Sequence, residues 1–323
     1  MNIWLIYCLV DINYLFHPAC RAKPGNETTI LADTSQLETF LKDLNLQTSP
    51  KFPTECFWLT MLYHHIGLVP SMRKLTRVMK DLYQIVKELK RLRGAKPANE
   101  MEKKQQQVIM DRYDQQARFL IQQVIYSQRN RNLTLYQVIC LEAWLFDETT
   151  CKNATTQVSQ FSIILMKLIT GSDTGSIDAN SVPKVPPSCW SAFPECLIED
   201  LTDFVIFISQ QMPHLIREAF DQSPSLPDFL SLMVCSPTFF RNPYLVAKFI
   251  EIMFNMHPSH GGDQGRKAKR DAIYELIVMN RLNHANLAPS LMKFYTDVEQ
   301  TGGSNEFYDK FSIRHHIQGT VDI

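Results

Sequence analysis

The segment Phe239-Phe240-Arg241-Asn242-Pro243-Tyr244-Leu245-Val246-Ala247-Lys248-Phe249-Ile250-Glu251-Ile252-Met253-Phe254 contains a sharply defined helix start. Asn242 has the side-chain acceptor of an N-cap, and Pro243 has a helical φ angle and no N–H group to leave unpaired. Beyond them, apolar side chains cover most of the helix, and the polar ones form one narrow stripe: Lys248, Glu251 and Asn255. A helix that is apolar nearly all round belongs in a protein core. Because Pro258 follows after about three turns, the helix is too short for a membrane span, which needs about 20 residues. The segment therefore predicts a core helix that other elements cover on both sides.

Length and charge set broad limits on the protein. A chain of 323 residues is long enough for two domains or for one extended array. Lys plus Arg and Asp plus Glu both number 33, so the net charge is zero. Because no overall field attracts polyanions, we expect neither a nucleic-acid partner nor a membrane partner.

The cysteines and the N-terminus indicate the compartment. The eight cysteines form no C-x-x-C pair, and several lie in apolar helical stretches, which is typical of buried free thiols in a cytosolic or nuclear protein. Residues Met1–Val10 are apolar, but no positively charged segment precedes them and no A-x-A-like cleavage site follows. We therefore expect no secretory signal peptide.

Helical periodicity recurs along the chain. Apolar spacing and capping residues predict, with the opening helix, about twelve helices, the others at about 35–45, 54–65, 71–93, 100–128, 133–146, 155–170, 195–211, 225–235, 266–280, 289–300 and 305–316. The helices at 71–93 and 100–128 are expected to be antiparallel neighbours. Since no stretch alternates at period two and no fixed repeat length occurs, we predict an all-α fold, an irregular armadillo-like helical repeat array that forms part of an elongated core.

Proline, glycine and charge patterns divide the chain into segments. Residues 171–194 contain two glycines and four prolines among short polar residues, which predicts a linker loop. The predicted organisation is a poorly matched N-terminal segment at 1–51, the N-terminal part of a helical core at 52–170, the linker at 171–194, a continuing helical core at 195–317 and an atypical tail at 318–323.

Short motifs offer little support for catalysis. Asp173-Thr174-Gly175-Ser176 matches the aspartic protease motif, but no second copy and no flanking strands accompany it. The pairs His64-His65 and His315-His316 are read as one packed and one exposed histidine each, because adjacent helical residues point about 100° apart and do not share a metal ion. We predict no catalytic, cofactor-binding or metal-binding residues and no cofactor.

Two alternatives remain open. A thiol nucleophile paired with a distant histidine is possible at four positions: Cys140, Cys189, Cys196 or Cys235. The basic residues at Lys87–Arg93 are interpreted as part of a solvated helix surface. The alternative is that they contact phosphate or an acidic partner.

Five ordered segments resemble the ubiquitin conjugation factor E4 family, the U-box ubiquitin chain elongation factors. The resemblance extends from about residue 52 to 316, and its segments are Phe52-Pro53-Thr54-Glu55-Cys56-Phe57 with His64-His65, Val182-Pro183-Lys184-Val185, Pro194 through Phe207, Arg241-Asn242-Pro243-Tyr244-Leu245-Val246-Ala247-Lys248, and Pro289 through Glu299 with Phe307-Tyr308-Asp309-Lys310-Phe311.

The resemblance implies an armadillo-like core that positions a substrate and a C-terminal U-box that recruits a ubiquitin-conjugating enzyme loaded with ubiquitin. It further implies ubiquitinated substrates and an AAA-type segregase as partners, degradation by the proteasome, and a location in cytoplasm and nucleus. The expected function is therefore part of a ubiquitin-protein ligase of the E4 type. No residues here match the U-box, so the alternative is a non-catalytic helical scaffold that binds substrate or segregase.

Overall fold

Helices make up the regular structure of the protein. The computed structural model describes residues 15, 51–95, 99–129, 148–171, 183, 185–191, 193–223, 225–257, 274–275, 277–300 and 307–321. Within these ranges every element is helical, apart from a single bridge residue at Pro194. The predicted all-α class is confirmed, while the armadillo-like repeat arrangement and the five-segment organisation remain predictions. Several predicted features lie outside the described residues: the helices at 35–45 and 133–146, most of the helix at 266–280, and the N-terminal apolar segment.

The described helices are numbered here in chain order. They are α1 (Phe52–Tyr63), α2 (Val69–Gly94), α3 (Glu100–Arg129), α4 (Glu148–Thr170), α5 (Ser188–Ser191), α6 (Glu195–Gln211), α7 (Pro213–Gln222), α8 (Ser225–Cys235), α9 (Pro243–Met256), α10 (Arg281–Gln300) and α11 (Phe307–Val321). A π-helical turn, His64–Leu68, follows α1, and a 3₁₀ turn, Pro237–Phe239, follows α8.

The chain divides into two compact units. The first contains Met1–Ile66 and Cys151–Ile323, and the second contains Gly67–Thr150. In the second unit α2 packs against α3, as their spacing predicted. The Gln106 side-chain amide donates to the carbonyls of Leu92 and Ala95, the latter at 3.2 Å, so a side chain of α3 hydrogen-bonds to carbonyls where α2 ends.

In the first unit α9 is the central core helix. The side chain of Asn242 accepts a hydrogen bond from the N–H of Tyr244 at 3.0 Å, and Pro243 occupies the first turn, which confirms the predicted cap. The helix packs against α6, α8 and α11. Seven residues on its apolar faces are buried: Leu245, Val246, Phe249, Ile250, Ile252, Met253 and Met256. Three neighbouring helices therefore surround the helix that its sequence predicted to need them.

A continuous series of aromatic rings links α9 to distant parts of the same unit. We call it the aromatic chain, and its members in order of contact are Trp58, Phe161, Phe193, Trp190, Phe240, Phe249 and Phe229. Neighbouring ring centroids lie 5.7 to 6.3 Å apart, within the range in which aromatic pairs attract each other. The indole N–H of Trp190 donates to the carbonyl of Phe239 at 3.0 Å, so its one polar atom is satisfied inside the core.

The last part of the predicted linker at 171–194 contains a short helix and two buried aromatic residues. Residues Ser188–Ser191 form α5, and the side chains of Trp190 and Phe193 have no exposed surface. The local abundance of proline and glycine indicated a loop, but two large aromatic residues gain more by burial than the short segment loses by becoming ordered.

Several predicted helix boundaries also differ; for example, the helix predicted at 155–170 begins at Glu148, and the one predicted at 305–316 extends to Val321. The helix predicted at 54–65 begins at Phe52 as α1, with Pro53 in its first turn and Lys51 at the capping position. Pro213 follows the end of α6 and is the first residue of α7, a helix that the sequence reading missed. Pro289 lies inside α10, which begins at Arg281. A proline lies at or next to the predicted or observed boundary in each of the last three cases.

We expect the substitution Phe249→Ala to reduce the free energy of unfolding by about 3–5 kcal/mol, the usual cost of emptying a buried aromatic site. Phe249 is fully buried and contacts the rings of Phe229 and Phe240. Urea denaturation followed by circular dichroism and tryptophan fluorescence measures the change. Met292→Ala is the control, because the Met292 side chain is 55% exposed and its loss leaves no cavity. A loss below about 1 kcal/mol for Phe249→Ala would contradict the core position of α9.

Two carboxyl groups at helix contacts have opposite pKa shifts. Burial raises the pKa of Asp228 in α8, against a smaller opposing effect of its hydrogen bond from the Asn280 amide at 2.6 Å. A hydrogen bond from Lys152, followed by the attraction of the same ammonium, lowers the pKa of Glu218 in α7. Nζ of Lys152 lies 2.7 Å from Oε2 of Glu218.

These shifts predict opposite pH dependences for two isosteric variants. The raised pKa means that Asp228 contributes favourably below its unfolded pKa, about 3.9, and that this contribution is lost as pH rises through the folded pKa. Asp228→Asn should therefore become more stable relative to the parent protein as pH rises from about 4. The contribution of Glu218 is present above its unfolded pKa, about 4.3, and is lost as pH falls through its lower folded pKa, so Glu218→Gln should become less stable relative to the parent as pH rises toward about 4.3. Urea midpoints of all three proteins between acid and neutral pH measure both trends, and trends of the same sign in the two variants would contradict the assignment.

Candidate functional site

Helix α6 carries the most connected polar cluster among the described residues. Its acidic residues occur on two faces: Glu195, Glu199 and Asp203 follow each other at four-residue spacing on one side, whereas Asp200 points about 100° away. The first set faces α9, because the Asn242 amide donates to Glu195 and the Lys248 ammonium reaches the other two carboxylates. Apolar α6 and α9 are therefore joined by a row of polar contacts along one edge.

Lys248 lies at the centre of this row. Its Nζ atom is 2.8 Å from Oε1 of Glu199 and 2.7 Å from Oδ1 of Asp203, and one quarter of its side chain is exposed. An ammonium held between two carboxylates makes strong charge-assisted hydrogen bonds. These contacts place Lys248 in a structural role at the interface between α6 and α9.

The second face of α6, which carries Asp200, has three reactive side-chain types close to one another. Nδ1 of His65 lies 2.6 Å from Oδ2 of Asp200, and Cys196 precedes Asp200 by one helical turn. Burial, followed by the negative charges of Asp200 and Glu199, raises the pKa of the Cys196 thiol to about 12. A thiol nucleophile needs a lowered pKa, so this cysteine is protonated at neutral pH and the cluster lacks the chemistry of a thiol enzyme.

The other thiols proposed from the sequence have the same character where the structure describes them. Burial raises the pKa of Cys235 to about 12, against an opposing hydrogen bond with Ser290. Burial also raises the pKa of Cys189. Cys140 lies outside the described residues, as does the Asp173-Thr174-Gly175-Ser176 motif. All five described cysteines are free, but only Cys151 and Cys196 are buried, and Cys56 is exposed.

The adjacent histidines point to different partners. Burial lowers the pKa of His64, against a hydrogen bond with Gln157 that raises it, while His65 contacts Asp200. Both are half-buried, so the expectation of one packed and one exposed residue is wrong for this pair.

The second histidine pair follows the expectation more closely. His315 is exposed and His316 is half-buried, and their rings lie 5.4 and 4.6 Å from that of Phe254. Over the described part of the chain, no group of three metal-ligating side chains is positioned to hold an ion. In the same residues, no helix has the combined length and apolar character of a membrane span.

The sequence reading missed the α6 cluster because its contacts join residues far apart in the chain. Lys248 and Glu199 are 49 residues apart, and His65 and Asp200 are 135 residues apart. Two local signals were available: Lys248 is the one cation in an apolar helix, and the acidic residues of α6 repeat every four residues. Together they indicate a pair of helices joined through charge, but not which helices.

Comparison with known proteins identifies the fold's relatives. The model of the ubiquitin elongating factor core family matches residues 7–322, a wider range than the ordered segments at about 52–316. The chain is 25% identical over 317 residues to the ubiquitin conjugation factor E4 of Schizosaccharomyces pombe, covering 95% of this chain and 29% of the relative. It is 26% identical over 304 residues to a probable ubiquitin conjugation factor E4 of Arabidopsis thaliana, covering 91% of this chain and 26% of the relative.

A third relative has a name that includes an activity. The chain is 23% identical over 320 residues to the E4 ubiquitin-protein ligase UFD2 of Saccharomyces cerevisiae, covering 95% of this chain and 32% of the relative. The chain therefore spans between about a quarter and a third of the length of these curated relatives. Since the family model extends over nearly the whole sequence, the chain belongs to the ubiquitin elongating factor core family.

Proposed function

We propose that this chain is part of a ubiquitin chain elongation factor, a ubiquitin-protein ligase of the E4 type. The observation that carries the proposal is the family match over residues 7–322, supported by relatives named as ubiquitin conjugation factors and as an E4 ubiquitin-protein ligase. In this role the helical core holds a ubiquitinated substrate while a ubiquitin-conjugating enzyme loaded with ubiquitin transfers it. Polyubiquitination then marks the substrate for degradation.

Catalysis by positioning fits the described side chains. Transfer from a loaded conjugating enzyme needs the acceptor lysine and the thioester to be held together, which raises the rate by removing the entropy cost of their encounter. The ligase then needs no covalent intermediate of its own. In support, the thiols of Cys196 and Cys235 have pKa values of about 12 and supply no thiolate for such an intermediate at neutral pH.

A rigid core also suits a positioning role. Three helices pack around α9, and the aromatic chain extends from α1 to α8. Closely packed aromatic and aliphatic side chains resist deformation, so a substrate bound at one end of such a unit is held at a defined place. The partners we propose are a ubiquitin-conjugating enzyme, ubiquitinated substrates and an AAA-type segregase, in the cytoplasm and nucleus.

A chimera provides the test of the proposed function. Residues 7–322 replace the aligned segment of the Saccharomyces cerevisiae ligase, and the purified chimera is incubated with activating enzyme, conjugating enzyme, ubiquitin, ATP and a mono-ubiquitinated substrate. We expect longer ubiquitin chains than those made by the same ligase with the segment deleted, as measured by immunoblot over time. A chimera that folds, by circular dichroism and thermal melting, and yet extends no chains would refute the proposal.

Two matched variants of the chimera distinguish disruption of the packed core from a change on the exposed surface. Phe249→Asp places a charge in the fully buried site and should abolish chain extension together with folding. Met292→Asp makes the same chemical change at a side chain that is 55% exposed, and it should leave the rate within about twofold of the chimera. Equal effects of both substitutions would contradict a role for the packed core.

The proposed partners and location have separate tests. Immobilised chain should retain a mono-ubiquitinated substrate and a purified AAA-type segregase, and cell fractionation should place the protein in both cytoplasm and nucleus. Retention of neither partner, or confinement of the protein to a secretory compartment, would contradict this part of the proposal.

A further inference from the structure

Helix α2 combines high positive charge with exposed apolar side chains. Eight cationic and two acidic residues occur within Val69–Gly94, although the whole chain has a net charge of zero. One side of the helix packs on α3 in the second unit. The other side includes five exposed residues that we call the basic face: Tyr83, Val86, Lys87, Lys90 and Arg93.

The members of the basic face share one side of α2. At about 100° per residue, their positions fall within an arc of about 120° and extend over about 15 Å of the helix axis. Tyr83 is 67% exposed and Val86 is 44% exposed. The two acidic residues of α2, Asp81 and Glu88, lie on a different side, and Glu88 pairs with Arg91 at 2.9 Å. Lys87, Lys90 and Arg93 form no ion pair with any described residue.

We propose that the basic face binds an acidic amphipathic helix of a partner protein. Lys87, Lys90 and Arg93 follow each other at three-residue spacing, which is about 4.5 Å of axial rise. Carboxylates at successive turns of a helix lying alongside repeat about every 5.4 Å, so each meets one cation. Tyr83 and Val86 lie among the cations and give apolar side chains of the partner helix a surface to cover.

Charge and apolar exposure together favour a protein partner over a polyanion or a bilayer. A nucleic acid pairs its phosphates with the cations but leaves Val86 in water, and the zero net charge of the chain gives no long-range attraction to it. A membrane-surface helix inserts a broad apolar face, whereas the apolar side of α2 is used against α3. An acidic amphipathic helix uses both kinds of side chain that the basic face exposes.

The binding experiment uses the full chain and a synthetic probe. The probe is a fluorescein-labelled helical peptide of about 18 residues, five turns, with Glu and Leu on one side at three- and four-residue spacing. Fluorescence anisotropy at low salt should show saturable binding. A peptide with Gln in place of Glu should bind at least about tenfold more weakly, and added salt should weaken the Glu peptide more than the Gln peptide.

Charge reversal locates the binding surface. The triple variant Lys87→Glu, Lys90→Glu and Arg93→Glu should weaken binding of the Glu peptide by about tenfold or more, because each exposed ion pair contributes a change of about two- to threefold in affinity. A peptide with Lys in place of Glu should then bind the triple variant. The control variant carries the same charge change on exposed residues of α3: Lys103→Glu, Lys104→Glu and Arg112→Glu. It should keep binding within about twofold.

Substitution of Tyr83 and Val86 by serine tests the contribution of the apolar contacts. Tyr83→Ser with Val86→Ser should weaken binding while leaving its salt dependence unchanged, since both side chains are uncharged.

Four results would overturn the proposal. The first is the absence of saturable binding at any soluble peptide concentration, and the second is equal weakening of binding by the two triple variants. The third is tighter binding of the face to duplex DNA or anionic vesicles than to the Glu peptide. The fourth is charge-reversible self-association of the chain in sedimentation. The assay contains no ubiquitin, so its outcome is independent of the proposed chain elongation.

Discussion

Contact between buried aromatic rings is the interaction on which the first unit depends. The aromatic chain runs from Trp58 in α1 to Phe229 in α8, and it joins helices that are far apart in sequence. Each ring buries a large apolar area, and each contact adds an orientation preference that aliphatic side chains lack. Trp190 is its centre, because its indole stacks on Phe193, meets Phe240 edge-on and donates a hydrogen bond to a backbone carbonyl. A segment of four helical residues is thereby fixed in the core.

Local signals were sufficient to predict most of the helices but not their contacts. The cap at Asn242 and the apolar periodicity of α9 are properties of adjacent residues, and both were predicted correctly. The segment around Trp190 was assigned to a linker because proline and glycine report local backbone preference, whereas the burial of an indole depends on residues 49 positions away. Proline was also ambiguous, since it starts α7 at Pro213 and lies within α10 at Pro289. The position of a proline in the sequence does not show which of these roles it has, because tertiary packing determines it.

The α6 cluster shows the same limit at the level of side-chain chemistry. Its residues are separated by 45 to 135 positions, so no spacing rule connects them. Cys196, Asp200 and His65 were each visible in the sequence, and their proximity resembles a thiol active site in composition alone. The electrostatics decide against that chemistry, because two carboxylates and burial keep the thiol protonated. A cluster of reactive residue types is therefore evidence of catalysis only when the surrounding charges favour the reactive form.

The polar row between α6 and α9 has a different consequence, which follows from the apolar character of α9. A helix with buried residues on several faces gains similar hydrophobic energy in several rotations about its axis, so apolar burial alone does not select one. Any rotation that moves Lys248 away from Glu199 and Asp203 breaks both charge-assisted hydrogen bonds of its ammonium at a packed interface, which is costly. Asn242 donates a hydrogen bond to Glu195 at the start of the helix, and this contact favours the same rotation of α9 at a second position along its axis. These contacts therefore select one orientation of α9 among those that apolar burial allows.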